Sequence, residues 1–442
     1  MKSGLFWFGQ DLRLQDNRTL AQFAQQVDAL GLVYVVDPRW FASTNYHHKW
    51  VGEQRWRLIC ESLQQLRDQL HPHGHELLVV HGKPEQVIPQ LAQQWQVDVV
   101  GHGEQVGLFE QQLWRQIQQT LPGLEYISCW DSTLFSLSQL NMTSETLGSF
   151  SRFRKVIEKT PLLPRPPYHF ELTALPTSLV NREQAKQGWM GLANYGEGAC
   201  EQRLLEGGEL SAIAHMQRYF RSGAPARYKQ TRNELDGWQN SSKLSHFLAL
   251  GNVSPRQVWQ QIKGYESEFG ANDSTYWLGF ELWWREYFQW LALHIKADLY
   301  RFQGLATKPP LTSYYSGRFI QWCQGQTPFP LVNACMKQLN QTGYMSNRGR
   351  QIVASCLVNE LGVDWRYGAA YFQQQLADHD VAANWGNWQY IAGVGVDPRG
   401  GRHFNVAKQT EHYDPLGDFV ARWQGDAGQL PLDSIDAADW PC

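Results

Sequence analysis

Four short apolar runs, at residues 5–8, 30–36, 77–80 and 97–100, punctuate the first hundred residues and limit what this part of the chain can become. They are rich in branched and aromatic side chains and show no alternation. Runs of that kind suit strands buried on both faces, as in parallel sheets. Between the second and third runs Trp56, Ile59, Leu63, Leu66 and Leu70 recur every three or four positions, the spacing of an amphipathic helix. Val87, Leu91 and Trp95 repeat that spacing before the fourth run. Strand, helix and strand in this rhythm predict an α/β layer with a parallel sheet over residues 1–130. Neither G-x-G-x-x-G nor G-x-x-x-x-G-K-[ST] is present, so the sheet lacks the usual phosphate-binding fingerprints.

Residues 131–190 read as a long linker. The run Leu162-Leu163-Pro164-Arg165-Pro166-Pro167 cannot stay helical, and only a short helix near 150–157 is expected. From 191 to 442 the pattern is mainly α-helical, with amphipathic stretches starting near Leu204, Val258, Tyr276, Leu331, Ile352 and Ala369. The fold predicted is therefore an α/β N-terminal domain with a parallel sheet, joined by a long linker to a mainly α-helical domain.

Charge and cysteine usage narrow the function. The 39 basic and 42 acidic side chains nearly cancel, which leaves a nucleic-acid partner to a local basic face rather than to the overall charge. Seven cysteines (60, 129, 200, 323, 335, 356 and 442) are odd in number, scattered and free of any C-x-x-C pair. That argues against a disulfide framework or zinc module and for reduced thiols in the cytoplasm. His47, His48, His71, His73 and His75 lack the cysteine or carboxylate frame of a metal site, so no metal is expected. No apolar run reaches membrane-spanning length, no cleavage signal follows Met1, and no obligate protein partner is expected. With 20 Trp, 18 Tyr and 20 Phe, the chain has the surfaces for a planar ligand or for thick aromatic packing.

Three clusters carry possible chemistry. Tyr228 to Asn233 and Ser241-Ser242-Lys243-Leu244-Ser245 combine hydroxyls with cations; they suit a phosphate cradle or ordinary helix capping. Trp277, Glu281, Trp283, Trp284, Arg285 and Phe288 place a carboxylate among aromatic rings, with Glu281 and Arg285 four apart on one helix face. Such a face can receive a flipped base, or can be a salt-bridged helix over an aromatic core. Met345 to Arg350 and Asp378 to Trp388 supply arginines, aspartates and Asn384; they suit a redox ring and its sugar-like chain, or a buried Arg–Asp network.

Together these clusters resemble the photolyase/cryptochrome flavoprotein family, most closely its DASH branch. The likeness starts at Phe6-Trp7-Phe8-Gly9-Gln10-Asp11-Leu12-Arg13-Leu14-Gln15-Asp16-Asn17. It resumes through residues 228–233, 241–255, 272–288 and 342–351, is densest over 364–399, and ends at Phe404-Asn405-Val406 and Tyr413-Asp414-Pro415. The resemblance implies an antenna domain followed by a helical FAD domain. It implies that Tyr228, Ser241, Ser242, Lys243, Leu244 and Ser245 surround the FAD phosphates, that Arg350, Asp378 and Asp380 surround the flavin and its sugar-like portions, and that Asn384 faces flavin N5. It places Glu281, Trp284, Arg285, Met345 and Asn347 at a lesion pocket, and makes Trp388 and Trp365 electron-transfer residues. The implied activity is that of a deoxyribodipyrimidine photo-lyase: light-driven splitting of cyclobutane pyrimidine dimers in single-stranded or looped-out DNA, where base extrusion is cheapest. A non-enzymatic blue-light receptor or DNA-binding regulator with the same flavin is the alternative.

Three positions depart from the family pattern. Tyr390 stands where conventional dimer photolyases carry a second pocket Trp. Thr312 occupies the distal place of the tryptophan chain, with Tyr314, Tyr315, Trp322 and Tyr344 as other outlets. The family implies 5,10-methenyltetrahydrofolate as an antenna, yet its antenna-contacting Glu aligns with Leu108, with Glu104 as the nearby carboxylate. Basic neighbourhoods at Arg218, Arg221, Arg227, Lys229 and Arg232, and at Arg348, Arg350, Arg399, Arg402 and Lys408, provide phosphate attraction.

Overall fold

Phe6, Phe8, Leu32, Tyr34 and Val99 bury against one side of a sheet, while Leu5, Trp7, Val33, Val35 and Val100 bury against the other. Both faces are covered, which is why the apolar runs show no polar alternation. The computed structural model describes residues 1–140, 142–160, 163–172, 175–192, 204–396 and 400–433. Its strands are β1 (Ser3–Phe8), β2 (Ala29–Val36), β3 (Leu77–His81), β4 (Val99–Gly103), β5 (Glu125–Cys129) and β6 (Thr177–Ser178). All pairings are parallel, in the order β3-β2-β1-β4-β5, with β6 pairing β2 at Ala29 and Leu30.

The fourth run is displaced from its expected place. Val97 still belongs to the turn after helix Pro84–Gln94, its N–H bonded to Ala92 O, and the strand starts at Val99. In this strand order successive strands are added on one side of β1 up to β3 and on the other side from β4 onward. That opens a crevice at the carboxyl ends of the strands, the place where open α/β sheets take ligands.

The segment after β5 fastens the two halves together. Arg256, with a fully buried side chain, donates Nε to Asp16 Oδ2 (2.8 Å), Nη1 to Thr133 O (2.8 Å) and Nη2 to Asp131 O (3.1 Å). Glu286 accepts from Leu134 N (2.8 Å), Phe135 N (3.2 Å) and Trp290 Nε1 (2.9 Å). The expected short helix forms over Phe150–Lys159, capped by Ser149. The chain then returns to the sheet through β6 and helix Arg182–Leu192. That helix approaches β3 so closely that a Cβ on Gly188 would lie 2.0 Å from Val79 O.

Helices dominate from Glu209 onward. The longest, Asp273–Ile295, starts at Asn272, which forms a capping box with Thr275. The stretch read from Leu204 becomes helix only at Glu209, because Gly208 takes φ 100° just before it. The family-like residues 397–399 lie outside the described residues, as do Cys200 and Cys442. Among the described residues no cysteines are paired, no group of side chains could hold a metal ion, and no helix is long and apolar enough to cross a membrane.

Candidate functional site: a polar cavity beside an interdomain cleft

Helix termini assemble a polar cavity of about 110 Å³, lined among others by Asn347, Arg350, Asp378, Asp380, Asn384 and Trp388. Ser346 caps helix Asn347–Ser355 through Gly349 N (3.1 Å), which sets Asn347 and Arg350 one turn apart. Arg350 donates Nη2 to Asp378 Oδ2 (2.9 Å) and Nε to Met345 O (3.0 Å). Burial pushes the Asp378 carboxyl up, but the Arg350 guanidinium outweighs it and holds the pKa below the usual carboxylate value. The second oxygen, Oδ1, is buried without a hydrogen-bond partner among the described residues.

Asp380 caps helix Val381–Ala392, accepting from Ala383 N (2.9 Å) while Gln289 Nε2 donates to both of its oxygens (2.9 and 2.7 Å). One turn on, Asn384 anchors its amide by donating Nδ2 to Ala369 O (2.9 Å). Trp388 is buried because residue 368 is glycine; a Cβ there would sit 2.3 Å from the indole. Trp365 is fully buried, its Nε1 donating to Phe302 O (2.9 Å).

The serine-rich segment adjoins this cavity instead of lining it. Ser245 lies near enough to Asp378 for its hydroxyl to help lower that carboxyl's pKa, and His246 acts on it through charge. Lys243 adopts a left-handed backbone (φ 52°), is buried beside Leu244, and donates Nζ to Tyr344 OH (2.6 Å) and Ser241 Oγ (2.9 Å). Ser241 and Ser242 are half-buried and Ser245 is exposed. Tyr228 is buried; desolvation, and after it the Glu281 charge, keeps its phenol protonated.

Glu281 and Arg285 share one helix but not one partner. Glu281 pairs with Arg232, whose guanidinium lies 4.2 Å from the Trp277 ring centroid. A third of the Glu281 side chain stays open, while burial of its carboxyl pushes the pKa up against the pull of Arg232. Arg285 instead donates Nη1 to Ser132 O (2.6 Å) and approaches Asp380 at 3.4 Å, so it ties the connector to the polar cavity. Trp284 stacks on Phe150 at 3.7 Å between centroids, with Tyr390 edge-on at 6.1 Å. Met345 is buried and offers its backbone carbonyl, whereas Asn347 is exposed.

A second, larger cavity of about 520 Å³ lies in the crevice where β1 and β2 end, closed by the helical domain. Rings of Trp40, Tyr46, Trp50, Phe109 and Trp385 line it. Its carboxylates are Asp37, paired with Arg39, and Glu110, near the start of helix Leu108–Thr120; burial raises the Glu110 pKa, opposed by its own backbone N–H and by Arg55. Glu104 points elsewhere, accepting from Ser128 Oγ (2.6 Å), and Leu108 lines the cavity as an apolar wall. Glu110, and not Glu104, is the glutamate that lines this cleft. His379 lines both cavities and was passed over in sequence because the aspartates flank it; burial holds it neutral and its Nδ1 lacks a partner among the described residues.

The profile of the DNA photolyase family matches residues 4–170, and that of the FAD binding domain of DNA photolyase matches residues 277–440. Cryptochrome DASH from Idiomarina loihiensis is 44% identical over 439 residues, covering 99% of this chain and 96% of the relative. The crystal structure of a Synechocystis cryptochrome matches with a TM-score of 0.86 at 38% identity, over 96% of this chain and 88% of that one. An archaeal photolyase from Sulfolobus tokodaii, described with two FAD molecules and as implying a novel light-harvesting cofactor, matches at 0.76 and 27% identity, over 95% and 90% of the two chains.

Proposed function

The chain belongs to the cryptochrome DASH branch of the DNA photolyase family and carries that family's FAD-binding domain, and from this premise we propose that it splits cyclobutane pyrimidine dimers in single-stranded or looped-out DNA under blue light. The observation that carries the reading is Glu281: a partly open carboxyl, its pKa raised by burial, set beside Arg232 and the Trp277 and Trp284 rings.

The donor set of the polar cavity fits a flavin. Asp378 Oδ1 is buried and unspent, Arg350 stands beside it, Asn384 has its amide fixed, and Trp388 lines the wall. Arg350, Asp378, Asp380 and Asn384 would hold the ring and its sugar-like chain. Tyr228, Ser241, Ser242, Lys243, Leu244 and Ser245 would surround the phosphates. Bound in its reduced form, FAD would supply the excitable one-electron donor for the dimer.

The chain's own part is to bind, orient and hold protons. In its protonated form, which burial favours and Arg232 opposes, Glu281 would donate a hydrogen bond to a thymine carbonyl, where negative charge gathers when the dimer holds the extra electron. Trp284, fixed from behind by Phe150, offers a rigid flat wall that costs little entropy to present. Arg285 holds the connector against Asp380 and so positions the pocket. With Tyr390 in place of a second indole and engaged by Arg402, the pocket grips an extruded dimer less firmly, which favours strands whose bases are already unpaired. The interdomain cleft, with its rings and the Glu110 carboxyl, suits a flat antenna such as 5,10-methenyltetrahydrofolate.

The test is anaerobic illumination of reduced, FAD-loaded protein with single-stranded and duplex oligonucleotides that each carry one thymine dimer. Recovery of adjacent thymines in light and not in darkness, faster on the single strand and weakened by Glu281→Gln, is the expected result. DNA binding without conversion would favour the light-receptor or regulator reading.

A further inference from the structure

Thr312 has no ring that can give up an electron, yet Trp388 and Trp365 are buried and need a way out. Ring contacts supply two routes, and both end at the same pair. From Trp365, whose ring lies 5.9 Å from Trp385, contacts run to Tyr46 (6.4 Å), Tyr367 (5.1 Å) and Tyr314 (4.1 Å). From Trp388 they run to Trp322 (6.1 Å), Phe319 (6.1 Å) and again Tyr367 (5.6 Å). Every member of the first route is oxidisable, and it starts at Trp365, which the family pattern sets after Trp388; the second starts at Trp388 itself but crosses a phenylalanine and is the poorer conductor.

The end of the route has the right exposure. Tyr314 stacks on Tyr367 at an interplanar angle of 19° and is 41% exposed. An oxidised phenol is stable only once its proton has left, and water at Tyr314 can take it. The other outlets fail on this ground or on charge. Trp322 is fully buried. Arg318 sits 5.2 Å over the Tyr315 ring, and Lys243 sits 4.5 Å over the Tyr344 ring and donates to its hydroxyl. A cation over a ring opposes positive charge on that ring.

We propose that Tyr314, reached through Tyr367, is the surface port by which electrons enter this protein when light reduces its flavin. The inference rests on the flavin reading above. The excited oxidised flavin is the oxidant and takes one electron through Trp388. The hole moves outward to Tyr314, whose phenolic proton passes to water. A solution thiol then returns a hydrogen atom to the tyrosyl, and two thiyl radicals join as a disulfide for every two electrons delivered.

The experiment uses the full FAD-loaded chain in its oxidised state, with dithiothreitol as the thiol, read by flavin absorbance and by transient electron paramagnetic resonance. Wild type should show a neutral tyrosyl signal and progressive flavin reduction. Tyr314→Phe and Tyr367→Phe should lose the tyrosyl signal and slow reduction toward the level of Trp388→Phe, while Tyr315→Phe keeps both. Chemically reduced Tyr314→Phe should still split dimers at the wild-type rate, which separates electron supply from repair. An unchanged tyrosyl signal and reduction rate in Tyr314→Phe would overturn the proposal. Failure of the chain to retain FAD would overturn the flavin reading itself, and retention with no effect of Trp388→Phe would show that the flavin lies elsewhere.

Discussion

The interdomain cleft offers about 520 Å³ behind a wall of aromatic rings, whereas the polar cavity offers about 110 Å³ among arginine, aspartate and asparagine side chains. The cleft comes from docking: it exists where two domains meet at the open end of a sheet, and of its two carboxylates Asp37 is paired with Arg39 while Glu110 is pushed toward neutrality by burial. The polar cavity comes from helix termini within one domain, with Asp380 as a cap, Asn347 in a first turn and Arg350 paired to Asp378. Volume therefore marks where a large flat molecule can rest, and polar placement marks where chemistry can be controlled. The two are joined at His379, which lines both.

The comparison breaks most severely at Arg256. Its fully buried guanidinium holds Asp16 and the 131–133 connector, so Arg256→Ala leaves Asp16 unpaired at a cost of about 3–5 kcal/mol, measurable by urea unfolding. The cleft should lose its ligand in that variant before the polar cavity does. Asp378→Ala strands Arg350, whose side chain is a quarter exposed, and should cost less, about 1–3 kcal/mol, with loss of flavin absorbance from the purified protein.

Glu281→Gln keeps the fold and should lower dimer splitting per bound lesion by about tenfold, a change of about 1.4 kcal/mol in transition-state stabilisation. The same group gives a pH dependence. Because burial raises its pKa, the protonated donor persists to higher pH than on an exposed glutamate and is lost as pH rises further, so splitting should fall with rising pH in wild type and stay flat in Glu281→Gln. The smallest effect belongs to Glu110→Gln. It should weaken binding of 5,10-methenyltetrahydrofolate in an equilibrium titration and leave splitting unchanged when the flavin absorbs the light directly.

Sequence made the sheet core legible because residues 30–36 and 77–79 are buried on both faces, which leaves one reading for such runs. It did not reveal β5, a sheet-edge strand with an exposed Glu125 and only half-buried neighbours, or the two-residue β6. Helix Leu108–Thr120 was hidden by glutamines that dilute its apolar face. At the site, Arg350, Asp378, Asp380 and Asn384 were legible as a cluster because they sit near one another in two short segments. Pairs distant in sequence were not: Arg232 meets Glu281 across 49 residues, and Phe150 meets Trp284 from the connector. Glu281 and Arg285 had the spacing of a pair, but each found a better-placed partner on another element.

The most direct test of the division between the cavities uses reduced, FAD-loaded protein whose cleft is empty, given a single strand with one thymine dimer and light absorbed by the flavin alone. Chromatography should show full light-dependent return of adjacent thymines, none in darkness, and the same rate in Glu110→Gln. Loss of conversion whenever the cleft is empty, with flavin and DNA still bound, would contradict the assignment of the chemistry to the polar cavity.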